Sequence, residues 1–196
     1  MSLPAQQSRR ATYADLEALP SNVVGEILDG ELFASPRPAS PHALAASMAL
    51  SDLGSPFNRG GGGPTNPGGW WILIEPELHL DEDVVVPDLA GWRRERMPVM
   101  PNVAGFTLAP DWVCEVQSPS TARIDRVQKR TIYARSGVAS LWMIDPLART
   151  LEVQALQDGR WVLVGAYADT ARVRAVPFEA LEIDLANWWL PQAPSP

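Results

Sequence analysis

Two carboxylates interrupt apolar strands of this 196-residue chain, and they are the residues best placed to carry chemistry. Glu115 lies within the run 111–117, Asp-Trp-Val-Cys-Glu-Val-Gln, and Asp88 follows the apolar run 84–87. An ionised carboxylate in apolar surroundings is costly unless it is paired or binds a cation. Asp88 alone also fits a turn or cap residue after Pro87. Two inward carboxylates together repel each other unless a cation lies between them, which points to a divalent metal held by oxygen ligands.

Strand alternation predicts which face of the central strand carries this chemistry. Successive side chains point to opposite faces, so Val113, Glu115 and Gln117 share one face. The other face is apolar and suited to a core, and it is formed by Trp112, Cys114 and Val116.

A helix is predicted directly after the central strand. Ser120 or Thr121 is a suitable N-cap, the helix is expected over 122–135, and Gly137 ends it. Its buried stripe is predicted to be Ile124, Val127, Thr131 and Ala134.

Lys129 on this helix has two interpretations. Asp125 and Lys129 are four residues apart, as in an exposed helical ion pair. Alternatively, helical side chains lean toward the N-terminus, so Lys129 can reach back toward Glu115.

The remaining elements follow from periodicity and turn signals. Pro87 predicts a break or bulge within its strand, and the strand–helix–strand unit 111–145 predicts a right-handed crossover between parallel strands. Asp-Gly pairs predict hairpins at 29–30 and 158–159. Helices are expected at 12–19 and 39–53, the latter with a stripe of Leu44, Ala45 and Met48. Strands near 71–80, 84–90, 113–116 and 141–144 are predicted to form one sheet flanked by the helices at 41–53 and 122–135.

Two further segments have competing interpretations. The Gly- and Pro-rich stretch 54–69 is predicted to be a long loop, and no Lys-Ser or Lys-Thr follows its glycines to indicate a phosphate-binding loop. The basic run 93–96 is either a solvated surface turn or a contact to phosphates.

Composition limits the class of protein. The net charge of -7 and pI near 4.8 argue against a broad nucleic-acid footprint but leave room for a local basic groove. A single cysteine excludes an internal disulfide, and no apolar run is long enough to span a membrane, so a cytoplasmic location is expected. One domain over 1–196 is expected, with flexible ends at 1–10 and 191–196.

The motifs, taken in order, resemble those of the Uma-two family, a bacterial group of endonucleases within the PD-(D/E)XK restriction-nuclease superfamily. The resemblance extends from about Tyr13 to Leu185. It implies a restriction-endonuclease-like α/β fold with additional β-hairpins, a divalent metal, and often a homodimer. It rests on Pro87-Asp88, the run 115–121, Asp125, Lys129, Tyr133, Gly137-Val138 and the run 142–146.

The resemblance also implies site residues. Asp88 matches the first acidic position of the PD-(D/E)XK motif, and Glu115 matches the second. Gln117 stands where the superfamily often has a lysine, and the resemblance offers Lys129 as the replacement. Asp88, Glu115 and the carbonyl of Val116 would hold Mg²⁺ or Mn²⁺. Glu75 and Glu77 are candidates for an additional acidic ligand, and the register of the hairpin decides which of them faces Asp88.

These residues predict a metal-dependent endonuclease that hydrolyses DNA phosphodiester bonds. The metal would polarise the phosphate and activate water, and Lys129 would stabilise negative charge or orient the water. The acidic pI and Gln117 favour an alternative, a catalytically inactive relative that acts as a binding or assembly module. A metal-free glycosidase with two carboxylates also stays open, since sequence does not give the distance between the carboxylates.

Tryptophans lie near segment ends, for example Trp70, Trp92 and Trp188, and they are expected to be exposed. Because aromatic residues are enriched at protein interfaces, these tryptophans predict a homodimer.

Overall fold

The computed structural model describes residues 9–59, 61, 63, 65–119 and 122–191. The proposed N-caps Ser120 and Thr121, three residues of the Gly-rich stretch (Gly60, Gly62 and Pro64) and most of both terminal segments lie outside the described residues. The strands are β1 Val23–Leu28, β2 Glu31–Pro36, β3 Trp70–Ile74, β4 Glu77–Leu80, β5 Asp83–Val85, β6 Leu89–Arg93, β7 Gly105–Phe106, β8 Trp112–Val116, β9 Ser140–Asp145, β10 Thr150–Gln157, β11 Arg160–Ala168, β12 Arg172–Val173 and β13 Ile183–Asp184.

The helices are fewer. They are α1 Tyr13–Glu17, α2 Ser40–Asn58, α3 Ala122–Ile124, a π-helical turn Asp125–Lys129, α4 Arg130–Arg135 and a 3₁₀ turn Leu185–Trp188. The run from α3 through the π turn to α4 is called the site helix below. No helix of the described residues is long and apolar enough to cross a membrane.

The strands form two main sheets. The larger has the order β11-β10-β9-β8-β6-β3, and the smaller has the order β2-β1-β5-β4-β7. The strands β8 and β9 are parallel, as the strand–helix–strand unit predicted. Both Asp-Gly hairpins are confirmed, with β1 pairing with β2 and β10 with β11. The residues Asp29, Gly30, Asp158 and Gly159 all have the positive φ that a tight hairpin turn requires.

The prediction that four strand regions form one sheet is wrong in part. The region 70–80 breaks at Glu75-Pro76, where Glu75 has a φ of 45°. The region 83–93 breaks around Pro87, as its proline predicted. The strands on one side of these breaks, β3 and β6, join the larger sheet, whereas β4 and β5 join the smaller one. Asp88 therefore lies at the junction between the two sheets.

The two faces of β8 pack as alternation predicted. Trp112, Cys114 and Val116 belong to a core cluster that also contains residues of α2 and the C-terminal segment. Val113 belongs to a second cluster, together with Ile132 and Tyr133 of the site helix. Because all five residues of β8 are buried, a charge on this strand is removed from bulk water.

Both predicted helix stripes need correction. The α2 helix continues past Leu53 to Asn58, and it buries Ala45, Ala46, Ala49, Leu53 and Phe57, whereas Leu44 and Met48 are only half-buried. In the site helix, Val127 and Thr131 are exposed, and the buried residues are Asp125, Lys129, Ile132 and Tyr133.

The tryptophans were expected to be exposed, and that expectation is wrong. Trp70, Trp92, Trp188 and Trp189 are buried, and Trp71 is half-buried. The indole N–H groups of Trp92 and Trp189 donate to backbone carbonyl oxygens, and that of Trp188 donates to Asp52. Their surface is used in the core, so a homodimer stays a prediction without this support.

The basic run after β6 is part of the fold. The Arg94 guanidinium lies 3.7 Å from the centroid of the Trp71 ring and donates to the carbonyl oxygens of Trp70 and Asn58. Arg96 pairs with Asp111 at 3.1 Å. Asp88 precedes the first residue of β6, whereas the basic run begins at its last residue. The contacts of this run therefore favour a structural role over a phosphate contact beside Asp88.

Phe178 is the residue on which the larger core should depend most. Its ring centroid lies 4.8–5.6 Å from the centroids of four other aromatic rings, those of Phe57, Trp70, Trp112 and Trp142. We expect Phe178→Ala to lower the free energy of unfolding by about 3–5 kcal/mol in urea titrations, because a cavity would remain among rigid rings. The control Leu147→Ala removes a side chain that is 65% exposed and should change it by less than about 0.5 kcal/mol. Similar losses in the two variants would contradict this account of the core.

Candidate functional site

A cavity of about 330 Å³ lies where the two sheets, the start of α2 and the site helix meet. Asp88, Glu115, Val116 and Lys129 all line it, so the structure brings together the residues that were proposed to bind metal and the proposed catalytic lysine. Three further acids line it as well, namely Glu26 of β1, Glu75 after β3 and Asp125 of the π turn. Gln117 is buried nearby but is not among the lining residues.

The ammonium of Lys129 is buried among three carboxylates. Its Nζ lies 2.9 Å from Glu26 Oε1, 3.1 Å from Glu115 Oε1 and 3.7 Å from Asp125 Oδ1. It also donates to the carbonyl oxygen of Val86 at 3.1 Å. The exposed ion pair considered for Asp125 and Lys129 is therefore wrong, and the side chain does reach back to Glu115.

These surroundings determine the charge of Lys129. Burial lowers the pKa of Lys129, but Glu115, Glu26 and Asp125 outweigh it and hold the pKa well above its usual value. A lysine with a raised pKa keeps its proton at neutral pH. Lys129 is therefore suited to stabilise negative charge and is unsuited to act as a base.

The pKa of Glu115 is subject to opposing effects. Burial raises its pKa, Lys129 lowers it, and the nearby acids Asp125, Asp88 and Glu26 raise it further, so that its pKa stands well above the usual range. The Tyr133 hydroxyl donates to Glu115 Oε1, and burial raises the pKa of that phenol, which stays protonated. Five acids line this cavity, against a single lysine.

Asp88 is positioned by donors from two elements. The amide N–H of Val116 donates to Asp88 Oδ2 at 2.7 Å, and His42 Nε2 lies 3.1 Å from Asp88 Oδ1. Burial lowers the pKa of His42, but its contact with Asp88 and the charges of Asp125 and Glu75 raise the pKa overall. Both carboxylate oxygens of Asp88 therefore have a donor, and each keeps a second lone pair.

The carbonyl of Val116 faces the same edge as Asp88. The amide N–H of Gln117 donates to Ile144 O of β9, so the backbone groups of Val116 point to the opposite edge of β8. The neighbouring strand β6 begins only at Leu89, which lies opposite Cys114. This carbonyl therefore lies beyond the end of the paired ladder.

The chemistry of these donors fits a hard divalent cation. Asp88, Glu115 and the Val116 carbonyl supply oxygen ligands from one cavity, and carboxylates are present in excess over cations there. Within the described residues no group of three or more His, Cys, Asp or Glu side chains has a ready-made metal-binding arrangement. The proposed ligand set has only two acidic side chains, and its third ligand is a backbone carbonyl, so it does not form a group of that kind.

Glu75 lies in the interruption between strands β3 and β4, and Glu77 is the first residue of β4. Glu75 lines the cavity, whereas Glu77 does not line it and accepts hydrogen bonds from Tyr13 and His79. If either residue joins the site, the geometry selects Glu75.

Two residues of the site, Glu26 and His42, were missed from the sequence. Glu26 interrupts the apolar strand β1 in the same manner as Glu115 interrupts β8, and that criterion would have found it. His42 carries no comparable signal, because its partner Asp88 comes from a distant segment.

Removing the ammonium should destabilise this cluster in a pH-dependent way. We expect Lys129→Met to lower the free energy of unfolding at neutral pH by about 3–5 kcal/mol, since three buried carboxylates would lose their cation. Because Lys129 lowers the pKa of Glu115, its loss raises that pKa further above the value in the unfolded chain. The folded state then binds more protons than the unfolded state, so part of the deficit should be recovered as pH falls toward the ordinary carboxyl pKa.

Urea titrations across pH would measure this effect. The control Arg130→Met removes the neighbouring cation of the site helix, whose side chain is only half-buried. A Lys129→Met deficit below about 1 kcal/mol, or one that grows in acid, would contradict the buried cluster.

Comparisons with known proteins agree with this fold. A family model described as "Uma2: Putative restriction endonuclease" matches residues 10–186. A crystal structure of a protein from Anabaena variabilis, described as a putative nuclease belonging to DUF820, aligns with a TM-score of 0.71 and 21% identity over 91% of this chain and 97% of that one. At this identity the likeness establishes the fold alone. A comparison with curated proteins finds no significant match.

The predicted fold class is therefore confirmed as a mixed α/β, restriction-endonuclease-like fold. The family model covers most of the chain, including β1, Asp88, β8 and the site helix. The chain belongs to the Uma2 family.

Proposed function

We propose that this protein is a divalent-metal-dependent endonuclease that hydrolyses phosphodiester bonds in DNA. The observation that carries the proposal is the cavity lined by five carboxylates, three of which surround a single buried ammonium. An excess of buried negative charge needs protons or a cation to offset it. The printed descriptions of the family and of the Anabaena variabilis protein support a nuclease reading.

Asp88, Glu115 and the Val116 carbonyl would hold Mg²⁺ or Mn²⁺. When bound, the metal would polarise the phosphate and lower the pKa of an attacking water. The contacts from His42 and the Val116 amide fix the orientation of the Asp88 carboxylate toward the cavity. Fixing a ligand in this way reduces the reorganisation needed on binding.

Lys129 would stabilise the negative charge that develops on the phosphate. Its raised pKa keeps the ammonium charged, and a preorganised cation in a site shielded from water is effective for this purpose. Glu26 and Asp125 also hold the ammonium, and the Tyr133 hydroxyl donates to Glu115. Gln117 has no charge and does not line the cavity, so its role would be indirect.

The neutral Gln117 also favours a second candidate, a catalytically inactive relative that binds metal or nucleic acid. This candidate needs the same cavity and differs only in the absence of cleavage. A single domain, a homodimer and a cytoplasmic location belong to the proposal as expectations from the sequence.

Cleavage of supercoiled plasmid in Mg²⁺ or Mn²⁺ tests the proposal. We expect Asp88→Asn and Glu115→Gln each to reduce cleavage at least about a hundredfold, because each removes a proposed metal ligand. Both variants should also lose the rise in melting temperature that the metal gives the wild type. The control Glu77→Gln removes a carboxylate that is bonded to Tyr13 and His79 outside the cavity, and it should cleave normally.

The other outcomes are informative as well. A metal-dependent melting shift without wild-type cleavage would favour the binding module. Wild-type protein with neither response would exclude both candidates, and normal cleavage by Glu115→Gln would exclude the assigned site.

A further inference from the structure

Gln117 and Arg126 form a contact at the border of the cavity. Arg126 Nη2 donates to Gln117 Oε1 at 2.7 Å. The side chain of Gln117 is buried, and Arg126 is exposed. The chain neighbours of Gln117, Val116 and Ser118, both line the cavity, and so does Asp125 beside Arg126. The contact therefore joins the end of β8 to the π turn at the cavity edge.

Most arginines with a fixed partner in the described residues are held differently. Their partners are carboxylates, which cancel the charge of the guanidinium; this group contains Arg9, Arg10, Arg96, Arg135, Arg149 and Arg172. Gln117 instead holds Arg126 with a neutral amide oxygen. Among the described residues no acid pairs with Arg126, so its charge is held in place without being cancelled.

A fixed, uncancelled guanidinium has a specific use here. It has five N–H donors in a planar fork that suits phosphate oxygens, and the contact with Gln117 occupies only one nitrogen. The interior of the cavity is rich in carboxylates and repels a phosphate chain, so an approaching polyanion needs a cation at the border. A second cation, Arg37, lines the same cavity from the segment before α2.

We propose that Gln117 positions Arg126 to bind a backbone phosphate of the nucleic-acid substrate at the border of the cavity. This inference rests on the proposed function, and it gives Gln117 a positioning role. A local contact of this kind also explains how a chain with a net charge of -7 can engage a polyanion.

The alternative is purely structural, in which the contact only joins the site helix to β8. The two readings predict opposite results for Gln117→Glu, which keeps the shape of the side chain. In the structural case a carboxylate strengthens the contact with Arg126, so stability rises and nucleic-acid binding is unchanged. In our proposal the carboxylate cancels the charge of Arg126 and weakens binding, whatever happens to stability.

The test measures binding of a fluorescently labelled DNA duplex by anisotropy across a salt series, in EDTA and in calcium. We expect Gln117→Glu and Arg126→Gln each to weaken binding about tenfold and to reduce the salt slope by about 0.9, as for one lost phosphate contact. The controls Gln157→Glu and Arg160→Gln make the same changes at the exposed β10–β11 turn and should bind as the wild type does.

A further variant tests the positioning role. Gln117→Lys combined with Arg126→Gln puts an ammonium where the guanidinium now meets Gln117, and it should recover part of the affinity. Arg126→Gln that binds like Arg160→Gln would overturn the inference, and plasmid cleavage by the wild type would show that the proposed function still holds. If wild-type protein binds no duplex in either buffer, the inference and the proposed function both fail.

Discussion

The burial of the Lys129 ammonium among Glu26, Glu115 and Asp125 is the interaction on which the rest of the site depends. Each acid comes from a different element, namely β1 of the smaller sheet, β8 of the larger sheet and the π turn. One cation therefore ties both sheets to the site helix. Since a buried charge pair stabilises only when its geometry is good and its other hydrogen-bonding groups are satisfied, this cluster constrains how the three elements meet.

The same cluster positions Asp88 indirectly. Glu26 Oε1 accepts from the amide of Val86, and Lys129 donates to the carbonyl of that residue, so the chain is held on both sides just before Pro87. At the break around Pro87 the chain leaves the smaller sheet and enters the larger one, which brings Asp88 to the edge of β8. A continuous strand would have kept Asp88 in a ladder. The break in pairing thus creates the open edge where Asp88 and the Val116 carbonyl face the cavity.

Much of this arrangement could be predicted from sequence, because it depends on local patterns. Alternation in β8 put Glu115 on the face opposite Cys114, the Asp-Gly pairs marked two hairpins, and Pro87 marked the break. The buried face of the site helix could not be predicted, since apolar periodicity treats Asp125 and Lys129 as surface residues. They are buried because partners from distant strands offset their charge, and such partners are not visible locally. The separation into two sheets was missed for the same reason.

The ammonium of Lys129 can be observed directly, because it is the single lysine of the chain. Lysine labelled with carbon-13 and nitrogen-15 at Cε and Nζ gives one side-chain signal by nuclear magnetic resonance. We predict a charged ammonium at neutral pH whose signal shifts saturably as Mg²⁺ is added to the wild type and does not shift in Asp88→Asn. A signal typical of a neutral amine, or one that ignores Mg²⁺ in the wild type, would contradict a cation site built around this lysine.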